Sequence, residues 1–161
     1  MVAKTLEPHL VESLRKSAWE ILETMVFLTP TSVEPIAEES STFNDAVIGL
    51  LGFTGTKSGT FAVRTSEDLA SLMAAKMMMM ETSELSGFEE IADAFGEIVN
   101  MLAGGFKNDW VANGNQMELS VPHVIRKGSV KINSDAGSGV HSGIRIKLDE
   151  HFVDIGVHFQ E

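Results

Sequence analysis

Cysteine is absent from the 161 residues, so the chain can form neither a disulfide nor a thiolate metal site, and it fits a reducing compartment. Basic side chains are scarce, with 12 Lys and Arg against 23 Asp and Glu and a net charge of −11. Nucleic-acid binding rests on Lys and Arg contacts to phosphate, so no nucleic-acid partner is expected, and a partner with a basic or metal-bearing face suits this charge better. No run approaches the roughly eighteen apolar residues of a membrane span. The start, MVAKTLEPHLVES, carries charges where a signal peptide needs an apolar stretch, so no membrane insertion and a cytoplasmic location are expected. There is no Gly-x-Ser-x-Gly and no His-x3-His, and His151 and His158 are seven apart on a strand-like segment, an odd interval that sends them to opposite faces. Neither a covalent nucleophile nor a metal site of the chain's own is expected.

What remains is a globular composition, 43% hydrophobic and 22% charged, in a chain of the size of one domain, residues 1–161. The clearest pattern lies in Gly87 to Phe106, GFEEIADAFGEIVNMLAGGF. Ile91, Phe95, Ile98 and Leu102 step by four and three and share one side of a helix. Asp93, Glu97 and Asn100 repeat those steps two residues later, roughly 200° around at about 100° per residue, so they point away from whatever the apolar stripe buries. Ala92, Gly96 and Ala103 lie between the stripes, small enough for another backbone to come close. Gly104 and Gly105 are expected to end the helix.

Glu-x-x-Asn by itself reads first as a solvated helix face. Its setting is more specific. Asp93-x3-Glu97-x2-Asn100 followed by Pro122, twenty-two positions after the asparagine, resembles the signature of the CheC/CheX/FliY family of chemotaxis phosphatases, and GEIVNMLAGG is similar to the motif helix of its CheX branch. The resemblance implies a phosphatase acting on a phosphorylated CheY-like response regulator. In that reading Asn100 and Glu97 are the catalytic pair, Asn100 orienting a water and Glu97 pairing with the receiver's active-site lysine, with Asp93, Gly96, Ala103 and Gly104 touching the partner. It also implies no cofactor beyond the Mg²⁺ that the receiver brings, and a homodimer. An asparagine suits the chemistry, since it cannot titrate near neutral pH yet its amide both donates and accepts, enough to align a water on an already reactive acyl phosphate. A module that binds a receiver or a flagellar-switch component without turnover is the alternative.

His9 to Leu28 is a second amphipathic helix, with Leu10, Leu14, Ala18, Ile21, Met25 and Leu28 in its stripe and Trp19 on the outward flank. A shift of 77 residues lays it on the motif helix, with Lys16, Glu20 and Glu23 at the places of Asp93, Glu97 and Asn100, so the acid is kept and the carboxamide lost. After a loop at Thr29 to Pro35, Phe43 to Phe53 reads as a strand apolar on both faces, joined by the Gly55–Gly59 turn to a strand at Thr60–Thr65. Ser66-Glu67-Asp68 then caps a helix that runs into Met77–Met80, four flexible thioethers expected to fill an irregular gap in the core, with an adaptable binding surface as the alternative. Gln116–Val121 alternates as a half-buried strand that Pro122 marks as an edge, a bulge or a strand end. Ser134–Gly143 is a loop, and Gly143–Leu148 with His151–Phe159 forms a hairpin. The expected fold is α+β, a largely antiparallel sheet of about six strands with helices on one face, in two pseudo-repeated α-β-β-β halves.

Overall fold

Burial alternates without a break along Gly59–Ser66: Gly59, Phe61, Val63 and Thr65 are buried and the residues between them are not. One face of the sheet is therefore sealed and the other open. In a computed structural model describing residues 7–36, 42–131 and 142–160, the sealed face packs beneath three helices. The elements run α1 (Pro8–Thr24), β1 (Ser32–Ile36), β2 (Thr42–Gly55), β3 (Gly59–Ser66), α2 (Glu67–Met77), a 3-10 turn (Thr82–Glu84), α3 (Phe88–Ala112), β4 (Met117–Leu119), β5 (His123–Lys131), β6 (Ser142–Leu148) and β7 (His151–Phe159). The fold is the expected α+β class.

All strand pairs are antiparallel, in the order β1-β6-β7-β3-β2, with β4 and β5 lying end to end along the far side of β2. That order is palindromic about the β3–β7 pair. Hairpin β2–β3 of the first half corresponds to β6–β7 of the second, and edge strand β1 corresponds to β5. An axis perpendicular to the sheet relates the halves, and it makes α1 and α3 run in opposite directions. On the sealed face Val47, Leu51, Phe61, Val63, Ile144, Ile146, Val153, Ile155 and Val157 meet Leu14, Leu22, Leu69, Met73, Phe95, Ile98 and Phe106 in one cluster.

The structure departs from expectation in several places. Seven strands are described instead of about six. Ser32–Ile36, read as mostly loop, pairs with β6 as an edge strand, and Pro35 is tolerated there because an edge strand has one side that needs no donor. The second addition is β5: the strand expected at Gln116–Val121 shrinks to Met117–Leu119, and after Pro122 the chain resumes along β2 as His123–Lys131. Pro122 thus marks an interruption of an edge.

Third, β2 is sealed on one face only. Val47 and Leu51 are buried, whereas Ile48 and Leu50 on the other face are half-buried. Fourth, α1 ends at Thr24, and its buried line is Leu10, Leu14, Ala18, Leu22 and then Val26, so Ile21 is half-buried and Met25 exposed. Fifth, Gly104 and Gly105 do not end α3, which continues to Ala112 because Phe106 and Trp110 carry its apolar face onward into the core and into stacked contacts with each other and with Phe159. Met77 and Met78 pack against the core as expected, but Met79 is 83% exposed. Apart from its final two residues, the loop expected at Ser134–Gly143 lies outside the described residues.

Candidate functional site

The polar stripe is carried by α3. Glu89 and Glu90 sit in its first turn, favourable against the helix dipole, and the Glu90 carboxylate accepts from the Ser86 backbone N–H at 3.1 Å. Ile91, Phe95, Ile98, Leu102, Phe106 and Trp110 are all buried, so the rotation of the helix about its axis is fixed over five turns' worth of anchors. The anchoring is close. A Cβ built at Gly49 on β2 would fall 2.4 Å from Val99 Cγ2, so α3 approaches β2 to a distance that only glycine permits. At the helix start, Arg126 of β5 reaches across to Glu67 of α2 at 2.8 Å and lies 4.9 Å from the Phe88 ring centroid, tying three elements together.

With that face fixed, Asp93, Glu97 and Asn100 are all exposed. Among the described residues none of the three side chains has a hydrogen-bond or ion-pair partner. A carboxylate and a carboxamide one turn apart on an anchored helix are therefore presented ready for groups that come from outside. Among the described residues no cluster of three or more His, Cys, Asp or Glu side chains is arranged to hold a metal ion. An anchored helix with an exposed polar stripe of this kind has the geometry of a docking face.

The small residues divide by what lies next to them. Gly96 is half-buried, and a Cβ there would be 3.7 Å from Val124 of β5, so the backbone that approaches this flank is the chain's own. Ala103 was expected to touch the partner. It is fully buried, on the α3 face turned toward the core, and offers no surface for a contact. Gly104 is one turn beyond Asn100 on the outward face, and nothing lies within 4 Å of a Cβ built on it. Gly105, which sequence reasoning treated only as a helix stop, is the point where α1 crosses: a Cβ there would sit 1.8 Å from Ser17 Oγ and 3.9 Å from Ile21 Cδ1. A serine in the matching helix was the one signal that could have pointed to it.

The first helix presents its own outward face. Arg15, Lys16, Trp19, Glu20 and Glu23 line a shallow open groove of about 300 Å³, with the Trp19 ring half-buried. Arg15 pairs with Glu12 on the same helix.

The sequence profile of the family described as chemotaxis phosphatase CheX matches residues 47–143, more than half of the chain and including all of α3. No curated protein sequence matches. Among solved structures the chain is similar to chemotaxis protein CheX from Vibrio vulnificus, with 25% identity and a TM-score of 0.75 over 98% of this chain and 100% of that one. It is also similar in fold to CheX from Desulfovibrio desulfuricans, with 17% identity and a TM-score of 0.79 over 94% and 99% of the two chains. A third similar chain comes from a CheX-CheY-BeF3-Mg²⁺ complex of Borrelia burgdorferi, with 18% identity and a TM-score of 0.77 over 94% and 98%. The matched profile, the fold and the outward Glu97–Asn100 pair agree, and the chain belongs to the CheX family of chemotaxis phosphatases.

Proposed function

We propose that the protein hydrolyses the aspartyl phosphate of a CheY-like response regulator. The observation that carries this reading is the unpartnered Glu97 and Asn100, one turn apart on the exposed face of α3. Docking brings that face to the receiver's phosphorylation site. The Asn100 side-chain amide enters and holds a water in line with the phosphorus. The water oxygen bonds to phosphorus as the bond from phosphorus to the aspartate oxygen breaks. Inorganic phosphate leaves with the proton, and the receiver recovers its free carboxylate. Glu97 pairs with the receiver's lysine, and Asp93 supports the docked complex from the preceding turn. Mg²⁺ comes with the receiver and offsets charge on the phosphoryl oxygens. Phosphoryl transfer through a loose transition state needs mainly alignment and charge stabilisation, and that is what a rigid carboxamide adds to a site already equipped with a metal and a lysine.

Support at the family level comes from the matched profile, and the neighbouring CheX structure that contains CheY supplies the class of partner. Gly104 serves the same docking, since it leaves bare backbone one turn from Asn100. A cytoplasmic location follows from the partner, and no described helix is long and apolar enough to cross a membrane. The protein works as a homodimer in this reading, and the open face of the sheet, with Ile125 38% exposed beside half-buried Ile48 and Leu50, is available for the second copy. Sedimentation at micromolar concentration would then give twice the 17.5 kDa chain mass. The function itself is tested by mixing the protein with phosphorylated receivers and timing loss of the phosphoryl group. Binding of the phosphorylated receiver with no faster loss would replace the phosphatase by a holding module.

A further inference from the structure

Two close approaches fix how α3 is turned between its neighbours. A Cβ on Gly96 would lie 3.7 Å from Val124 of β5, and one on Gly105 would run into Ser17 of α1. Nine residues at about 100° each set these two directions roughly 180° apart, so the outward face of α3 is bounded by the β5 edge on one side and by α1 on the other. Asn100, four residues past Gly96, points about 40° from the β5 direction and about 140° from the α1 direction. Glu97 points about 100° from the β5 direction, near the middle of the face. The carboxamide therefore leans toward the sheet edge and away from the first helix.

That edge runs antiparallel to α3 and touches it at both ends. The Arg126 guanidinium lies 4.9 Å from the Phe88 ring centroid, and Trp110 Nε1 donates to the Gln116 carbonyl at 3.3 Å. Counted from Gly96, Asn100 is about 6 Å and Gly104 about 12 Å along the helix; counted from Val124, the same distances at about 3.3 Å per residue reach Pro122 and Ser120. Val121 thus stands between the levels of Asn100 and Gly104. It is 76% exposed, although Met117 and Leu119, at two-residue steps before it, are buried and half-buried. The helix row on this side is Gly96, Asn100, Gly104, and the two glycines have no side chain to cover it; nothing lies within 4 Å of a Cβ built on Gly104. A trough results, with the Asn100 carboxamide on its helix side and Val121 on its edge side. Val121 is also held firmly. The Ser120 backbone N–H donates to the Gly52 carbonyl at 2.9 Å, the Ser120 hydroxyl accepts from the Gly52 N–H at 2.8 Å, and Pro122 follows with its φ fixed by the ring.

We propose that Val121 is a receiver-binding residue of the Asn100 site: the receiver lies over the trough between α3 and the β4–β5 break and buries the Val121 side chain. This rests on the phosphatase reading above. A carboxamide that leans toward this edge brings the receiver's phosphorylation site to the same side. A second copy adding a strand is the other occupant that an exposed edge invites. Here the ladder is broken between Leu119 and His123, and Pro122 has no N–H to donate, so the edge offers no template for strand pairing at Val121.

Affinity for a BeF3-loaded CheY that the wild type dephosphorylates in its phosphorylated form is measured for Val121→Ser, Val121→Asp, Val121→Ile and, on the α1 side, Glu23→Ala, together with KM, kcat, thermal midpoints and sedimentation. Expected are binding weaker by about fivefold in Val121→Ser and by more than about tenfold in Val121→Asp, with KM rising in step, kcat at saturation within about twofold of wild type, and wild-type affinity in Val121→Ile and Glu23→Ala. Midpoints and sedimented mass stay those of the wild type, because the side chain is exposed in the free protein. Wild-type affinity in both Val121→Ser and Val121→Asp overturns the inference and leaves the phosphatase reading standing, as does a lower kcat with affinity unchanged. A changed sedimented mass with unchanged affinity overturns it in favour of a second copy at this edge. A wild type that neither binds nor dephosphorylates any receiver removes the phosphatase reading and this inference with it.

Discussion

Gly105 and Ser17 meet where α3 and α1 cross, so closely that a single methyl on Gly105 would overlap the serine hydroxyl, 1.8 Å from Oγ and 2.9 Å from Cβ. Its neighbour Gly104 has nothing within 4 Å of the same built position. Two adjacent glycines in one helix therefore carry opposite constraints.

The same substitution at the two sites should change stability in opposite directions. Gly104→Ala gains helix propensity in open space and should stabilise by roughly 0.5–1 kcal/mol. Gly105→Ala gains the same propensity but pushes α1 away, and should destabilise by about 1–3 kcal/mol net of that gain. Adding Ser17→Gly to Gly105→Ala should recover more than the sum of the single changes, as expected for residues in contact. Denaturant midpoints for the wild type and the four variants decide this. A destabilised Gly104→Ala, or strict additivity of Ser17→Gly with Gly105→Ala, would show the helix crossing to be misplaced.

The two outward residues of α3 should separate by role. Asn100→Ala should lower kcat by about 10²-fold or more and leave affinity for a BeF3-loaded receiver nearly unchanged, since the lost interaction belongs to the transition state. Glu97→Ala should lower affinity as well, because its removal leaves a receiver lysine desolvated and unpaired. Glu23→Ala, at the matching place on α1, should change neither. All three side chains are exposed, so thermal midpoints should stay within a degree or two of wild type. Full activity in Asn100→Ala would remove the water-orienting role.

Beneath the open face of the sheet, Asp154 is fully buried and accepts from Arg145 Nε at 2.8 Å and Nη2 at 2.9 Å. Arg64, on the adjacent strand opposite Asp154, has its pKa pushed down by burial, and its Nε has no hydrogen-bond partner among the described residues. The hydrogen bond to Asp154 instead raises the pKa of Arg145. One buried carboxylate thus serves two guanidinium groups. Asp154→Ala should cost roughly 3 kcal/mol or more, because it leaves buried cationic charge without its counterion. A fall of around 10 °C in the thermal midpoint corresponds to that cost for a domain of this size. A fall below about 2 °C would mean that solvent reaches the pair.

Gly104 carries a second expectation. If a receiver approaches bare backbone next to Asn100, Gly104→Leu should weaken receiver binding by about tenfold while the protein itself becomes no less stable. Titration of a BeF3-loaded receiver beside a denaturant curve checks both halves. Unchanged affinity in Gly104→Leu would place the docked partner away from this turn.

Much of this was already written in the sequence. The 3.6-residue repeat of Ile91, Phe95, Ile98 and Leu102 fixes which side of α3 is buried, and so by itself turns Asp93, Glu97 and Asn100 outward, because a helix has no freedom to present both stripes inward. Period-two alternation likewise determined the β6–β7 hairpin and the sealed face of β3. Only the tertiary structure decided the flanks between the stripes. Periodicity separates buried from exposed but does not say which neighbour covers an intermediate position, so Ala103 went to the core, Gly96 to β5, Gly105 to α1, and Gly104 to open space. The same holds at the ends of elements. An edge strand containing Pro35 shows no alternation to read, and Gly-Gly inside a helix looks like a stop until the packing of Phe106 and Trp110 beyond it is known. Met25 and Phe27 look like core by composition and are surface by position, because α1 turns its Leu22 and Val26 side inward and leaves them outside.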